Sequence, residues 1–285
     1  MSRHTATDDA ARDTRQRYRL ERRFALRDLS LRLHGAAQPF LVTLPADPDA
    51  PLDQMAAEQA TRRARGARSL SDGTRDEVGS GANPGEARRA ASIARATVAA
   101  GAHLPYWALL WPSGLALAEG LLAEPHIAED KRALELGCGL GVTATVALSL
   151  GARLTVCDLF DDALLFAKYN TRRGAGRAPS TLLLNWRTPA GAERLLSAAP
   201  FNLLLAADVL YEPEDVEPLL SLAPRLLHRD APFWLAEPGR KASRAFVEAA
   251  LVRGWRDQPS VVERAWPPDG DVTGVTVHRF TLPDR

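Results

Sequence analysis

Short apolar segments alternate with helical segments along the chain after Leu104, and this alternation most strongly limits the folds open to it. The apolar runs that predict strands lie at 133–136, 154–157, 182–184, 201–205 and 232–236. The segments that predict helices lie at 141–150, 161–172, 215–227 and 243–252, with one more helix starting near residue 113. Strands that alternate with helices at this spacing form βαβ units around a parallel sheet.

The end of the chain departs from the alternation. Segments 260–265 and 272–282 predict two strands with only a Pro-Pro-Asp-Gly turn between them, so the sheet should finish in an antiparallel hairpin. The predicted fold class is therefore α/β: a Rossmann-like doubly wound sheet, mostly parallel with an antiparallel last strand. A small N-terminal β-hairpin extension is expected ahead of it, because segments 24–33 and 40–44 predict two strands joined by a short turn.

Three regions are expected along the chain. Residues 1–52 should form a tail and the β-hairpin extension, with the polar first 23 residues as a frayed tail or a surface helix. Residues 53–102 are rich in Arg, Gly and Ser, which predicts a flexible insertion with a helix at 86–100. Such a segment could contact RNA or an acidic partner, although a solvated loop is the simpler interpretation. Residues 103–285 hold the α/β domain.

Composition excludes several classes of protein. The 285 residues are 46% hydrophobic with a formal net charge of +1, so a sizeable core is expected and binding to nucleic acid through an overall positive field is not. No apolar run reaches about 18 residues, and the polar, Arg-rich N-terminus lacks an apolar signal segment, so no membrane association is expected. Cys138 and Cys157 have neither metal-ligand spacing nor the number for a disulfide framework. The sequence predicts a cytoplasmic, reduced protein.

A glycine-rich turn is the sharpest chemical signal. Glu135-Leu136-Gly137-Cys138-Gly139-Leu140-Gly141 follows a short apolar strand and opens a helix, which is where α/β sheets bind nucleotide-containing ligands. The glycines fall at positions one, three and five, whereas a dinucleotide fingerprint needs one, three and six. Glu135 precedes the first glycine by two residues and would suit a ligand with a cationic amino-acid end. S-adenosylmethionine, whose amino group and sulfonium are positive, is such a ligand.

Three further sites follow strands of the predicted sheet. Asp158 closes the second strand, where an acid accepts hydrogen bonds from ribose hydroxyls; alone, it could also cap the next helix. Asn185-Trp186 ends the third strand, where the amide could bond the adenine amine and the indole could stack on the ring or belong to the core. Asp208 and Tyr211 follow the fourth strand. Asp208 could hold an amine, and Tyr211 could line its entry. Alternatively, Asp208 caps a turn and Tyr211 is a packed ring. Upstream, Trp111 could shield the methionine end of the ligand, or it could simply cover the sheet.

Together these motifs resemble the class I, seven-stranded S-adenosylmethionine-dependent methyltransferases, from about residue 104 to 282. The D-x-x-Y motif Asp208-Val209-Leu210-Tyr211 resembles that of a group of protein lysine methyltransferases. Pro-Tyr-Trp-Ala-Leu-Leu-Trp-Pro-Ser-Gly and Glu237-Pro238-Gly239-Arg240 look most like the electron-transfer-flavoprotein β-subunit lysine methyltransferases, and their bacterial, nicotinamide N-methylase-like branch. One departure is Glu237, where Asp is expected.

The resemblance implies a methyltransferase domain at 103–285 that uses S-adenosylmethionine and methylates a lysine side chain of a protein substrate. The residues implied to bind the cofactor are Trp111, Glu135, Gly137, Cys138, Gly139, Gly141, Asp158, Asn185, Trp186 and Ala207. Asp208 and Tyr211 are implied to face the acceptor amine.

Three rival functions share these residues. A small-molecule N-methyltransferase would differ only at the rim of the site. A non-catalytic nucleoside-binding partner module would be expected to have lost one of the two motifs. An RNA methyltransferase would more typically carry Asn-Pro-Pro-Tyr or Asp-Pro-Pro-Tyr where this chain has Asp208-Val209-Leu210-Tyr211, so a nucleic-acid substrate is not expected.

Overall fold

One mixed β-sheet organises the chain, with helices on both faces. The computed structural model describes residues 13–52, 54, 105–265 and 272–283. Its strands are β1 Leu26–Leu31, β2 Phe40–Pro45, β3 Arg132–Leu136, β4 Arg153–Asp158, β5 Ser180–Leu183, β6 Leu203–Ala207, β7 Phe233–Glu237, β8 Arg256–Asp257, β9 Ser260–Ala265 and β10 Val272–Thr281. The main sheet runs β5-β4-β3-β6-β7-β10-β8, and β9 pairs with β10.

This topology confirms the predicted fold class. Strands β3 to β7 pair in parallel, whereas β10 is antiparallel to both β7 and β9. The order reverses between β3 and β6, and ligands of open α/β sheets bind at such a point, beyond the carboxyl ends of the strands.

The helices match the predicted segments with one omission. They are α1 at 13–21, α2 Pro112–Ala123, α3 Val142–Ser149, α4 Asp161–Ala175, α5 Pro189–Leu196, α6 Val216–Leu226 and α7 Lys241–Val252. The sequence analysis did not predict α5. The sequence does carry a helix-start signal there, a threonine followed by a proline. In the structure, Thr188 caps α5 by accepting a hydrogen bond from Gly191 N at 3.2 Å, and Pro189 occupies the first turn.

The sheet is buried on both faces. Alternate residues of β3 and β6 point to opposite sides: Ala133 and Leu203 pack in one cluster, and Leu134 and Leu204 in the other. Continuous apolar strands are expected when helices cover both faces of a parallel sheet. Glu135 is the exception in β3, since its carboxyl group is buried within this apolar setting.

The N-terminal segment packs on the first of these faces. Residues 13–21 form a helix, so the surface-helix alternative holds for them and the frayed tail does not. Leu20 is fully buried, and Phe24 contacts the rings of Trp107 and Phe166 at 5.8 and 5.7 Å. The predicted hairpin is present as β1 and β2.

A buried amide connects the hairpin to the glycine-rich turn. Asn170 on α4 accepts a hydrogen bond from Thr43 N at 2.8 Å and donates to Thr43 O and to Leu140 O, both at 2.9 Å. A buried side chain with all its polar atoms bonded fixes the backbone segments that it joins. The extension therefore helps to position the turn that follows β3.

The remaining segments lie outside the described residues. They include residues 1–12 and the 267–270 turn. They also include the expected insertion at 53–102 with its helix at 86–100, of which only Gln54 is described. Within the described part of the chain, no helix combines the length and apolarity needed to cross a bilayer.

Candidate active site

Two adjoining cavities lie at the carboxyl ends of β3, β4, β5 and β6. Their volumes are about 110 and 60 Å³, and both are lined by Leu109, Trp111 and Ala207. The structure brings every sequence-predicted site residue to their walls: Trp111, Glu135, Gly137, Cys138, Gly139, Gly141, Asp158, Asn185, Trp186, Ala207, Asp208 and Tyr211. Their roles stay predictions, but they surround a single crevice.

The glycine-rich turn has the backbone shape that only glycine adopts readily. Gly137, Gly139 and Gly141 all have positive φ angles, of 66°, 49° and 78°. Gly141 has an additional packing role, because a Cβ there would lie 2.8 Å from the Cα of Ala167. The third glycine therefore allows α3 to start against α4, whereas a Cβ at Gly139 would lie 3.5 Å from the backbone oxygen of Trp107.

Two buried carboxyl groups face each other across this turn. Glu135 is 2% exposed, and its Oε2 has no hydrogen-bond partner among the described residues. Burial and the neighbouring Asp158 carboxylate raise the pKa of Glu135 well above its ordinary value. Burial also raises the pKa of Asp158. A cationic ligand group placed beside these two carboxyl groups would therefore stabilise their charged forms.

Asp158 also holds the turn in place. Its Oδ2 accepts a hydrogen bond from Gly139 N at 3.0 Å, and its Oδ1 accepts one from Phe160 N at 3.1 Å. The side chain does not cap α4, whose first turn follows Phe160. Carboxylate oxygens accept more than one hydrogen bond each, so both can still accept from a ligand hydroxyl.

Asn185 and Trp186 lie just beyond β5. The Asn185 Oδ1 accepts a hydrogen bond from Arg187 N at 3.0 Å, so its oxygen already stabilises the local turn. Trp186 is buried in the core cluster below the sheet, and its ring also reaches the cavity. The Arg187 guanidinium lies 4.8 Å from the centre of that ring.

Asp208 is bound by an arginine from a different loop. It follows β6 with a φ of 53°, and its side chain is 7% exposed. Arg240 donates from Nε to Oδ1 at 2.7 Å and from Nη2 to Oδ2 at 2.9 Å. The same guanidinium lies 5.8 Å from the centre of the Trp111 ring. A carboxylate and an aromatic face together bind a cation at this point of the site.

Three aromatic rings form a rim above the carboxylate. Tyr106 contacts Trp111 and Tyr211 edge to face, with centroids 5.9 and 6.2 Å apart. Burial raises the pKa of the Tyr211 phenol, so the ring stays neutral over the physiological range. Arg187 packs on Tyr211 at 4.9 Å and is paired with the buried Asp215.

Comparison with known proteins identifies the family to which the chain belongs. A family model described as lysine methyltransferase matches residues 106–250, slightly more than half of the chain. The chain belongs to the lysine methyltransferase family.

The named relatives are methyltransferases, but their names give different acceptor side chains, lysine in one and arginine in another. One segment is 44% identical over 57 residues to the electron transfer flavoprotein β-subunit lysine methyltransferase of Danio rerio, and covers 20% of this chain and 22% of that protein. A histone-arginine methyltransferase of Rattus norvegicus is 26% identical over 176 residues, covering 59% and 72%. The predicted bacterial, nicotinamide N-methylase-like branch is not supported, because these relatives are animal proteins.

One solved structure is similar to part of the chain. The N-methyltransferase NodS of Bradyrhizobium japonicum, solved with S-adenosyl-L-homocysteine, is 16% identical. The match covers 61% of this chain and 89% of that chain, with a TM-score of 0.48.

Sequence reasoning missed two arginines that this family member places at the site. Arg240 belongs to a motif that the sequence analysis quoted, but nothing local indicated Asp208 as its partner, 32 residues earlier. Arg187 follows the predicted Trp186 directly and contacts both Trp186 and Tyr211. Among the described residues, no group of three or more His, Cys, Asp and Glu side chains is arranged to hold a metal ion.

Proposed function

We propose that this protein transfers a methyl group from S-adenosylmethionine to a lysine side-chain amine of a protein substrate. The observation that carries the proposal is the arrangement of acids at the carboxyl ends of β3, β4 and β6. Glu135 and Asp158 are buried with raised pKa values, and Asp208 in the same crevice binds the guanidinium of Arg240. Membership of the lysine methyltransferase family supports the same reaction.

The described residues fit the proposed methyl donor. The orphaned Oε2 of Glu135 suits an ammonium group, and Gly139, which lines the cavity without a side chain, suits close approach of the ligand to the backbone. Asp158 suits ribose hydroxyls, while Trp111, Asn185 and Trp186 suit the flanks of the ligand. When bound, S-adenosylmethionine supplies an electrophilic methyl group on a sulfonium cation.

The acceptor site is proposed to be the aromatic rim with Asp208. Tyr106, Trp111 and Tyr211 would surround the amine and exclude water, and Asp208 would orient it. The lysine must lose a proton before it reacts, since its reference pKa is about 10.4. A partly apolar rim disfavours the charged amine, so positioning and desolvation do the work without a strong base.

A larger cavity offers an entrance for the acceptor. It has a volume of about 800 Å³ and shares Leu109, Trp111 and Asp208 with the smaller cavities. The N-terminal hairpin contributes Arg27 and Leu29 to its wall. We propose that the substrate reaches Asp208 through this cavity and competes with Arg240 for the carboxylate.

Arginine is the second candidate acceptor. The relative from Rattus norvegicus is named a histone-arginine methyltransferase, and in this chain a guanidinium already binds Asp208 and Trp111. A guanidinium side chain from a substrate could bind in the same way. We also propose a cytoplasmic location, because Cys138 and Cys157 are both free thiols, as is usual for cysteines of proteins in a reducing compartment.

The test is transfer of radiolabelled methyl groups into a desalted lysate separated into protein and small-molecule fractions. Acid hydrolysis of labelled protein then distinguishes methyl-lysine from methyl-arginine. Asp208→Asn should lower turnover by about a hundredfold while cofactor affinity changes little, because it removes the charge that orients the acceptor. Glu248→Gln, on the exposed face of α7, is the matched control.

Each outcome decides between functions. Methyl-lysine that disappears with Asp208→Asn supports the proposal, and methyl-arginine selects the second candidate. Label only among small molecules indicates a small-molecule N-methyltransferase. Cofactor binding without label in any fraction indicates a nucleoside-binding module.

A further inference from the structure

A second groove lies along α4 and the edge strand β5. It has a volume of about 1060 Å³ and is formed by α1, α4, β5 and α5. We propose that this groove docks an acidic, partly apolar segment of the protein substrate. The proposal rests on the proposed function in requiring a protein acceptor.

Charge is strongly segregated into this groove. Of the described residues that line it, seven are cationic and one, Asp161, is acidic. From α1 and the residues after it come Arg15, Arg19, Arg22 and Arg23; from α4 and α5 come Lys168, Arg172 and Arg194. The whole chain has a net charge of only +1, so this local excess is not a consequence of general basicity.

The internal ion pairs neutralise only part of this charge. Arg23 is paired with Asp162 at 2.9 Å and lies 4.0 Å from Asp161. Arg172 donates to the neutral amide of Gln16 at 2.9 Å, and no carboxylate among the described residues is paired with it. Arg19 and Arg22 are exposed on the outer rim. Clustered cations around a concavity attract an anionic partner and accelerate its association.

The floor of the groove is apolar. Leu164 and Leu165 of α4 line it, and Leu183 at the end of the edge strand β5 is 47% exposed. An acidic peptide with interspersed apolar residues would bury the exposed Leu183 while its carboxylates meet the arginines. Single-stranded nucleic acid would need rings for its bases to stack on, and the described lining contains no aromatic side chain.

The groove is close to the proposed site in sequence and on the sheet. Asp161 and Leu183 line it, and Phe160 and Leu184, their immediate neighbours, line the cofactor cavity. A substrate could therefore occupy both places at once, with the acceptor side chain at Asp208 and a separate acidic segment in the groove. Such remote contacts would lower the KM for the protein substrate without changing the chemistry.

The binding test uses the full chain and a fluorescein-labelled peptide of repeated Glu-Glu-Leu. A Gln-Gln-Leu peptide and oligouridylate of similar length serve as comparison probes. The test variant is Arg19→Glu with Arg22→Glu. The control is Arg225→Glu with Arg256→Glu, which changes net charge equally at exposed positions away from the groove.

Fluorescence anisotropy should show salt-sensitive binding of the Glu-Glu-Leu peptide, weakened about tenfold in the groove variant and little in the control. The Gln-Gln-Leu peptide should bind poorly. Equal losses in both variants, or no binding, would overturn the proposal. Tighter binding of oligouridylate, lost in the groove variant, would overturn it in favour of a nucleic-acid surface.

Methyl transfer separates this proposal from the proposed function. With the labelled protein acceptor, the groove variant should raise KM about tenfold at unchanged kcat, whereas a short lysine peptide should be methylated at the same rate by both variants. An unchanged KM would overturn the docking role. If no protein is methylated at all, the proposed function fails, and the anisotropy result still decides whether the groove binds acidic peptide.

Discussion

His278 should make the stability of this protein depend on pH above neutrality. The side chain is 6% exposed on β10, with Nδ1 2.6 Å from Asp257 Oδ2 and Nε2 3.4 Å from Glu237 Oε1. Burial alone would lower the pKa of His278, but hydrogen bonds and charge from the two carboxylates outweigh it and raise the pKa to about 9. The folded protein therefore holds the imidazolium at neutral pH.

The direction and size of the effect follow from linkage. Because the folded-state pKa is raised, the stabilisation is complete below the unfolded value of 6.5 and is lost as the pH rises through about 9. At about 1.4 kcal/mol per pH unit, this difference corresponds to roughly 3 kcal/mol. A typical domain is stable by only about 5–15 kcal/mol, so the loss should be measurable.

Urea unfolding at a series of pH values between about 6 and 9.5 gives the free energy of unfolding directly. The wild-type value should fall by about 3 kcal/mol relative to His278→Gln across this range. Both proteins contain the same buried thiols, so thiol titration cancels in the comparison. His126→Gln, at an exposed position, is the control and should follow the wild type.

Parallel pH profiles for wild type and His278→Gln would refute this reasoning, as would a pKa near 6.5 for His278 by NMR titration.

A functional consequence of His278 deprotonation is also expected. The Glu237 Oε2 accepts a hydrogen bond from Gly239 N at 2.5 Å, and the next residue is Arg240, which binds Asp208. Loss of the imidazolium should loosen this loop and lower turnover before it unfolds the protein.

Three other substitutions test the packing and the site. Gly141→Ala should cost about 1–3 kcal/mol, because the new Cβ would lie 2.8 Å from Ala167 Cα at a positive φ; unaltered urea unfolding would contradict this. Phe246→Ala should cost about 3–5 kcal/mol, since the fully buried ring contacts Trp255 at 5.8 Å; a thermal shift of only a degree or two would disagree. Asp158→Asn should weaken S-adenosylmethionine binding about tenfold or more by calorimetry, and unchanged affinity would remove Asp158 from the proposed site.

Local patterns in the sequence were sufficient for the fold class. The alternation of strands and helices, the turn after β3 and the antiparallel end of the sheet all depend on residues within about ten positions of one another. The sequence analysis did not predict helix α5, which has only 8 residues and therefore a weak helical periodicity. The residue types around the crevice were also predictable, since parallel strands bring their carboxyl ends to one edge.

The charge partners could not be predicted in this way. Arg240 and Asp208 are far apart in sequence, and the seven cations of the second groove come from three separate helices and the turn after α1. His278 acquires two carboxylates only when β10 pairs beside β7 and β8. Local propensity decides which segments become strands and helices, but a charge acts on whatever the completed fold brings within a few ångströms of it. The sequence by itself therefore determined the sheet and the residues at its edge, and the tertiary structure alone decided which charges meet there.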